Sequence, residues 1–307
     1  MVAVVTDPAG GPELRPQRVA VPEPGPGQRR LRLSLIGVNF IDILRRGDHY
    51  PAPPGTVLGW EAVGRADDGG RYVVVDDELQ GYAQYAIVAE SKLQPISDDV
   101  DDELAMHLFQ SLTAEYLATS AHPVHAGETV VVFAAAGGVG QLLVQISRHL
   151  GARVIGVVSR SEKAASVAEL GAEPVVTTGT DLDAIRRVVP NGADVIFDAN
   201  GNSTWELTLA SAKRRGHIVL FGGMGPPQID PSVLRQHGSL TLSYTSVFDY
   251  IGDPAERAQR VEHVLEMFGS GAIRRIPITR FPLERAAEAH ALMQSRASVG
   301  KIVLSPT

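Results

Sequence analysis

The chain contains no cysteine, and that one absence removes several kinds of chemistry together. Disulfides, thiolate nucleophiles, iron–sulfur clusters and cysteine-ligated zinc all need a thiol that is not there. Excess positive charge is missing too: a formal net charge of −7 gives no electrostatic footprint for nucleic acid or an anionic membrane surface. No apolar run approaches the ~20 residues of a spanning helix. The N-terminus lacks a basic segment followed by a continuous apolar one, which predicts no secretory leader and a cytoplasmic protein. With 44% hydrophobic and 21% charged residues in 307, the composition is that of an ordered globule with room for two cores.

What is present is concentrated in one stretch. An apolar, β-branched run at 130–133 leads into Ala135-Ala136-Gly137-Gly138-Val139-Gly140, and 141–150 then carries a helical pattern. A strand, a tight glycine turn and a helix start together make a cradle for the pyrophosphate of a dinucleotide. Backbone N–H groups face the anion there, and the helix dipole favours its charge. Alanine stands in place of the first glycine of the fingerprint; Gly137 lets the backbone approach the phosphates, and Gly140 lets helix and strand pack closely. Nineteen residues after Gly140, past a second apolar strand, stand Ser159 and Arg160, with Lys163 close behind. A site for NADH places an acid at this point to bind the ribose 2′-hydroxyl. A hydroxyl, a guanidinium and an ammonium suit a 2′-phosphate instead, so the expected cofactor is NADPH.

Around this unit the rhythm of the chain changes. Residues 1–107 read as β-rich, with period-two alternation at 31–36 and short strands at 71–75 and 82–88. From 108 to 272, strands at 130–133, 154–158, 174–177, 195–198, 217–221 and 239–244 alternate with helical patterns, which predicts a doubly wound parallel sheet closed by a helix at 254–268. Residues 273–307 return to strand at 274–279, helix at 283–295 and strand at 301–304. The expected class is α/β, with domains at 1–107 plus 273–307 and at 108–272. The acidic cluster from Asp98 to Glu103 reads as the start of a helix rather than a binding tail. His122 and His125 read as part of the loop entering the nucleotide fold, with no carboxylate beside them in sequence to complete a metal site.

This layout, with Gly137-Gly138-Val139-Gly140, Gly37-Val38-Asn39-Phe40-Ile41-Asp42 and the 216–222 segment Gly-His-Ile-Val-Leu-Phe-Gly, resembles the zinc-free quinone oxidoreductases, the zeta-crystallin-like branch of the medium-chain dehydrogenase/reductase superfamily. The resemblance covers nearly the whole chain and implies a GroES-like catalytic domain beside a Rossmann domain. Zinc-dependent relatives hold their metal partly through a Gly-His-Glu segment; here it reads Gly59-Trp60-Glu61, so no metal is expected. Without a Lewis acid, the chemistry left is hydride transfer to an already electrophilic carbon, a quinone or the β-carbon of an α,β-unsaturated carbonyl.

By the same resemblance, Asn39 and Thr113 lie near the nicotinamide, with Asn39 also able to orient a substrate carbonyl. Phe221, Gly222 and Gly223 end one Rossmann strand, and Asn200 and Gly201 end the one before it. Tyr50 matches a family tyrosine near the substrate and is a candidate proton donor, with His49 a fresh candidate beside it. Asn39 also reads as a turn residue and Tyr50 as a packing residue. The chain departs from the family at Thr178, where a tyrosine is frequent, at Tyr244-Thr245 in place of an Arg-Pro pair, and between Gly64 and Arg71, where a shortened loop trims the catalytic domain near its cleft. Two other readings stay open: a pathway-specific enoyl reductase acting on a thioester or polyketide-like substrate, and an NADPH-binding protein without turnover. A homodimer is expected through the sixth nucleotide-sheet strand, whose unpaired edge invites a copy of itself.

Overall fold

Each of the two units of the chain has an apolar core of its own. The computed structural model describes residues 1–47, 50–177, 181–222 and 227–306, and the chain divides into a unit of Met1–Phe109 with Pro277–Thr307 and a unit of Gln110–Ile276. Among the described residues no helix is long and apolar enough to cross a membrane.

The first unit opens with an antiparallel pair, β1 (Val2–Thr6) and β2 (Leu14–Arg18). Its main sheet is assembled from β3 (Gln28–Val38), β4 (Glu61–Ala66), β5 (Arg71–Val75), β6 (Tyr85–Ala89) and β7 (Leu93–Pro95). In β3 the pattern Leu31, Leu33, Leu35 places every second side chain in the core, as a half-buried strand requires. The helix α1 (Phe40–Arg46) follows β3 directly, with Asn39 as its N-cap and Asp42 completing a capping box. The acidic cluster does start a helix: the Asp101 carboxylate accepts from the Leu104 N–H at the head of Asp102–Ala105.

The second unit is a six-stranded parallel sheet built from β8 (Thr129–Val132), β9 (Arg153–Val158), β10 (Glu173–Val176), β11 (Ala193–Asp198), β12 (Ala212–Phe221) and β13 (Thr241–Thr245). The spatial order is β10-β9-β8-β11-β12-β13, and every pairing is parallel. This is the doubly wound order of a dinucleotide fold, with the reversal of strand order at β8. Strands covered on both faces read as continuous apolar runs, which is why Val130, Val131, Val132, Ile155, Ile196 and Ile218 are all fully or almost fully buried. The mixed α/β class is therefore as expected.

The chain then returns to the first unit through β14 (Ile278–Pro282), which pairs in parallel with β15 (Lys301–Ser305), and β15 pairs with β3. The strand expected at 274–279 begins four residues later. Pro277 has no N–H to give a ladder; its carbonyl accepts from the Lys301 N–H at 2.9 Å, and pairing starts just after it.

The loop between Gly64 and Arg71 also needs correction. It is a tight hairpin between β4 and β5, with Arg65 opposite Arg71, and its Asp67 and Asp68 pair with Arg30 and Arg29 at the beginning of β3. Asn39 follows the other end of β3, about ten residues or roughly 30 Å away. The shortening therefore trims the far end of the sheet and not the Asn39 end.

Candidate active site

In the parallel unit the expected residues gather at one edge. The helix α4 (Gly138–His149) starts at the carboxyl end of β8, with Gly137 as its N-cap. Its first intrahelical bond runs from the Gln141 N–H to the Gly137 carbonyl, so the N–H groups of Gly138, Val139 and Gly140 face out of the helix start. A Cβ on Gly140 would lie 2.8 Å from the Ala135 Cα and closer still to the Ala134 carbonyl oxygen, so only glycine lets this helix meet the strand. Gln141 ties the turn from within, its Nε2 donating to the Ala136 carbonyl at 2.8 Å. The strained residue is Ala134, at φ +52°, one position before the alanine read as the first fingerprint residue.

On the neighbouring strand, Ser159 and Arg160 follow the end of β9 and are both exposed. Lys163 ends the single 3-10 turn Ser161–Lys163 and is largely buried. Burial, and then the nearby Arg160 guanidinium, hold its ammonium below the ordinary lysine value. The exposed Glu162 carboxylate lies 3.7 Å from the Arg160 guanidinium. Asn200 follows β11, whose last residue, Asp198, organises the loop. The Asp198 carboxylate accepts from the backbone N–H groups of Asn200 and Gly201 and from the hydroxyls of Thr204 and Thr208. Burial raises its pKa while these donors lower it. Sequence reading named Asn200 and Gly201 at this strand end but not Asp198; the threonines six and ten residues on were its only trace.

Phe221 is buried at the end of β12, and the Gly222 carbonyl accepts from the Tyr244 hydroxyl at 3.2 Å. β8, β9, β11 and β12 are neighbours and all parallel, so Gly137, Gly138, Val139, Ser159, Arg160, Asn200, Phe221 and Gly222 share one edge of the sheet. Thr113 lies buried on the helix Leu108–Tyr116. Gly223, Thr178 and His49 lie outside the described residues.

The antiparallel unit carries Asn39 and Tyr50. Asn39 sits between two carboxylates: its backbone N–H donates to Asp42 Oδ2 at 2.8 Å, and its Nδ2 donates to Glu61 Oε2 at 3.0 Å. Lys301 Nζ donates to the same Glu61 oxygen at 2.7 Å, and both charged side chains are essentially sealed from solvent. Tyr82, at the start of an expected strand, is instead fully buried in a loop, with its hydroxyl donating to Asp42 Oδ2 at 3.2 Å and lying 2.8 Å from His290 Nε2. Burial pushes the Asp42 carboxyl up to about 7, despite the hydrogen bonds from Asn39 and Tyr82. Burial, and then Arg46, push His290 down to about 3. None of Glu61, Tyr82, His290 and Lys301 was singled out from sequence as a partner of Asn39. Tyr50 stands beyond α1, its N–H donating to the Leu44 carbonyl, and is about half exposed.

The residues here do not fit a catalytic zinc. Trp60 takes the histidine place and carries the Arg45 guanidinium 5.7 Å from its ring, while Glu61 is engaged by Lys301 and Asn39. In the other unit Glu128 does accompany His122, its Oε2 3.3 Å from His122 Nε2, which overturns the expectation that no carboxylate would. The folded turn brings residue 128 back against the loop. Even so, among the described residues no group of three or more His, Cys, Asp or Glu side chains could hold a metal ion.

A doubly wound nucleotide sheet with a glycine turn at its switch point, joined to an antiparallel sheet that the chain leaves and re-enters, defines a medium-chain dehydrogenase/reductase. A family model for zinc-binding dehydrogenases matches residues 138–268. A 2-haloacrylate reductase of Burkholderia sp. is 32% identical over 100% of this chain and 99% of its own length. A quinone oxidoreductase of Pseudomonas aeruginosa is 32% identical over 97% of each chain. The structure of Escherichia coli quinone oxidoreductase complexed with NADPH superposes with a TM-score of 0.92 at 27% identity, over 100% of both chains. The chain belongs to the quinone-oxidoreductase branch of that superfamily and is an oxidoreductase of this type.

Proposed function

We propose that this protein is an NADPH-dependent, metal-independent reductase that delivers hydride to a quinone or to the β-carbon of an α,β-unsaturated carbonyl. The parallel-sheet unit binds the nucleotide, and the antiparallel-sheet unit supplies Asn39 and Tyr50. The observation that carries the reading is the pair of basic residues at the end of β9. Arg160 is exposed and Lys163 is near it, with no acid in the ribose-binding position and an open helix start on the adjacent strand. That arrangement matches a pyrophosphate and a 2′-phosphate in the same edge.

When bound, the nicotinamide supplies the hydride. The chain's own residues supply orientation and hydrogen bonds: Asn39 to a carbonyl oxygen that gains charge, and the Tyr50 phenol as a proton donor to that oxygen. The similarity to a 2-haloacrylate reductase supports including activated alkenes beside quinones as acceptors. A larger thioester substrate loses one of its supports, because the shortened loop lies at the far end of β3.

The deciding experiment follows NADPH oxidation at the nicotinamide absorbance with quinones, enones, 2-haloacrylate and enoyl thioesters. Turnover with quinones or simple enones is expected. Turnover with thioesters alone would move the protein to the enoyl-reductase reading, and tight NADPH binding without turnover would make it a binding protein.

We further propose a homodimer through β13, which ends the sheet and exposes half of Tyr244. Two such edges meeting about a two-fold axis satisfy each other's backbone groups. Light scattering should give twice the chain mass, and Leu242→Pro, which removes a backbone donor, should give the monomer. A monomeric wild type, or a dimer indifferent to the proline, would defeat this proposal.

A further inference from the structure

Three neighbouring strands of the antiparallel sheet converge on Asn39. Ile302 pairs with Val38 on one side of β3, and Glu61 pairs with Gly37 on the other. Lys301 and Glu61 therefore flank the last residues of β3, immediately before Asn39. The Lys301 ammonium and the Asn39 carboxamide both donate to one oxygen, Glu61 Oε2. The backbone has made room for this: a Cβ on Gly37 would stand 2.6 Å from the Glu61 carboxyl carbon and closer still to Oε2. Glycine is required there by the carboxylate, since Gly37 is not among the residues with positive φ.

Stability does not explain such a pair. Sealing two charges from water costs several kcal/mol per ion, and well-packed apolar residues of similar volume are commonly as stable or more so. What a buried carboxylate does provide is direction. A carboxamide has a donor edge and an acceptor edge that differ little in shape, so packing alone selects poorly between its two orientations. An ionised carboxylate only accepts, and so it selects the orientation with Nδ2 toward itself. A neutral partner, able both to donate and to accept, would not.

Other titratable groups surround the pair. From α1, Asp42 brings a second buried carboxyl group against Asn39, with Arg46 further along the same helix. From the loop after β5 comes the Tyr82 phenol, and from the helix Ala286–Gln294 comes His290. The Glu61 carboxylate adds to the burial that raises the Asp42 pKa, and both carboxyl groups stabilise the Lys301 charge against the burial that lowers its pKa. Lys301 is the cation that lies against Glu61 from β15.

We infer that Glu61 and Lys301 are positioning residues for the reaction: the buried ion pair fixes the orientation of the Asn39 carboxamide, and it acts on turnover through Asn39 alone. The inference rests on the reading above that Asn39 touches the nicotinamide or the substrate. No property of the pair itself requires contact with either.

A double-mutant cycle tests it in the intact protein, with NADPH and a quinone as probes and kcat as the readout. Asn39→Ala should lower kcat. Glu61→Gln keeps the shape but loses the acceptor-only character, and should lower kcat about tenfold with the quinone KM changed less than about twofold. In the Asn39→Ala background the same Glu61→Gln change should cost less than about twofold, because the group it orients is gone. Lys301→Met should resemble Glu61→Gln, and Lys301→Arg, which keeps the charge, should recover most of the loss.

Equal losses from Glu61→Gln in both backgrounds would overturn the inference, since the pair would then act independently of Asn39. A lowered melting temperature with unchanged kcat would also overturn it, in favour of a structural role. Should Lys301→Met fail to fold, the Glu61→Gln cycle and Lys301→Arg decide alone. If Asn39→Ala itself keeps wild-type kcat, the reading of Asn39 fails first, and that outcome is separable from the others because it needs no change at Glu61.

Discussion

The nucleotide turn of the parallel unit and the Asn39 region of the antiparallel unit are built from opposite materials. At 134–141 nearly all the work falls to backbone: N–H groups at the helix start, glycines without a Cβ, and one side-chain bond from Gln141 back to the turn. Around Asn39 it falls to side chains drawn from five places in the chain, at residues 42, 61, 82, 290 and 301. A backbone site is local and sensitive to added volume. A side-chain site is long-range and sensitive to charge. Substitutions in the two regions should therefore fail in different ways.

The largest effect is expected at Gly140. A valine there would press its branched side chain on the Ala134 carbonyl and the Ala135 Cα, which are backbone atoms with nowhere to go. The free protein relieves the clash by moving the helix start off the strand, and restoring the phosphate-binding geometry on binding then costs up to about 3 kcal/mol, so NADPH affinity should fall by up to about 100-fold. At Gly137 a Cβ would meet only the Ala134 carbonyl, at 3.2 Å, and Gly137→Ala should cost a few-fold at most. Fluorescence titration with NADPH measures both. Equal losses at the two glycines would remove the geometric argument.

Next is Arg160, a side chain at the backbone site. Its guanidinium is exposed, 3.7 Å from the exposed Glu162, and on the proposed reading it meets the 2′-phosphate. Arg160→Ala should weaken NADPH by about 1.5–3 kcal/mol, the range of a hydrogen bond to a charged group, and leave NADH nearly unchanged. Parallel loss for both cofactors would show that Arg160 does not read the phosphate.

In the Asn39 region the corresponding lever is pH. At about pH 5 an unfolded chain carries a proton on histidine and none on aspartate. The folded chain reverses this, with Asp42 titrating at about 7 and His290 at about 3. Each state holds one proton, so the pair adds no slope to stability between about pH 4 and 6.5. His290→Phe leaves Asp42 as the group whose folded pKa is raised. The folded state then binds the extra proton, and stability should fall as pH rises from about 4 to 7, by about 1.4 kcal/mol per unit. Asp42→Asn leaves the lowered histidine, and stability should rise with pH from about 3 to 6.5. Urea unfolding at several pH values measures the slopes; two flat profiles would mean that the buried shifts do not exist.

The contrast also explains what could be read from sequence. The parallel strands were found within a few residues because strands covered on both faces are apolar throughout, as in Val130, Val131 and Val132. β12 was the exception: it begins at Ala212, and the charged Lys213, Arg214 and Arg215 hid its first half. The glycine turn was legible because every part of it is adjacent in sequence. Glu61 and Lys301 are 240 residues apart and nothing local marks them as partners. Asn39 could be named as a candidate, but what holds it could not.

The smallest effect concerns a detail of the turn that the sequence does not show, the position of its left-handed residue. Ala135 stands where the fingerprint has its first glycine, yet the left-handed residue is Ala134, at φ +52°. Holding an alanine there costs roughly 1–2 kcal/mol, and a glycine would relieve it. The relief is partly offset by about 0.4–1 kcal/mol of extra freedom in the unfolded chain. Ala134 is exposed and loses no packing when its methyl goes, so Ala134→Gly should stabilise by up to about 1.6 kcal/mol. Ala135 is the opposite case: it is fully buried, and a Cβ on Gly156 would lie 3.1 Å from its methyl group. Ala135→Gly removes a buried methyl worth about 0.8 kcal/mol and adds the same unfolded-state freedom, so it should destabilise by about 1–2 kcal/mol. Calorimetry should find the two melting temperatures shifted in opposite directions, by a few degrees or less for Ala134→Gly. A drop for both would mean that the turn carries no strain at residue 134.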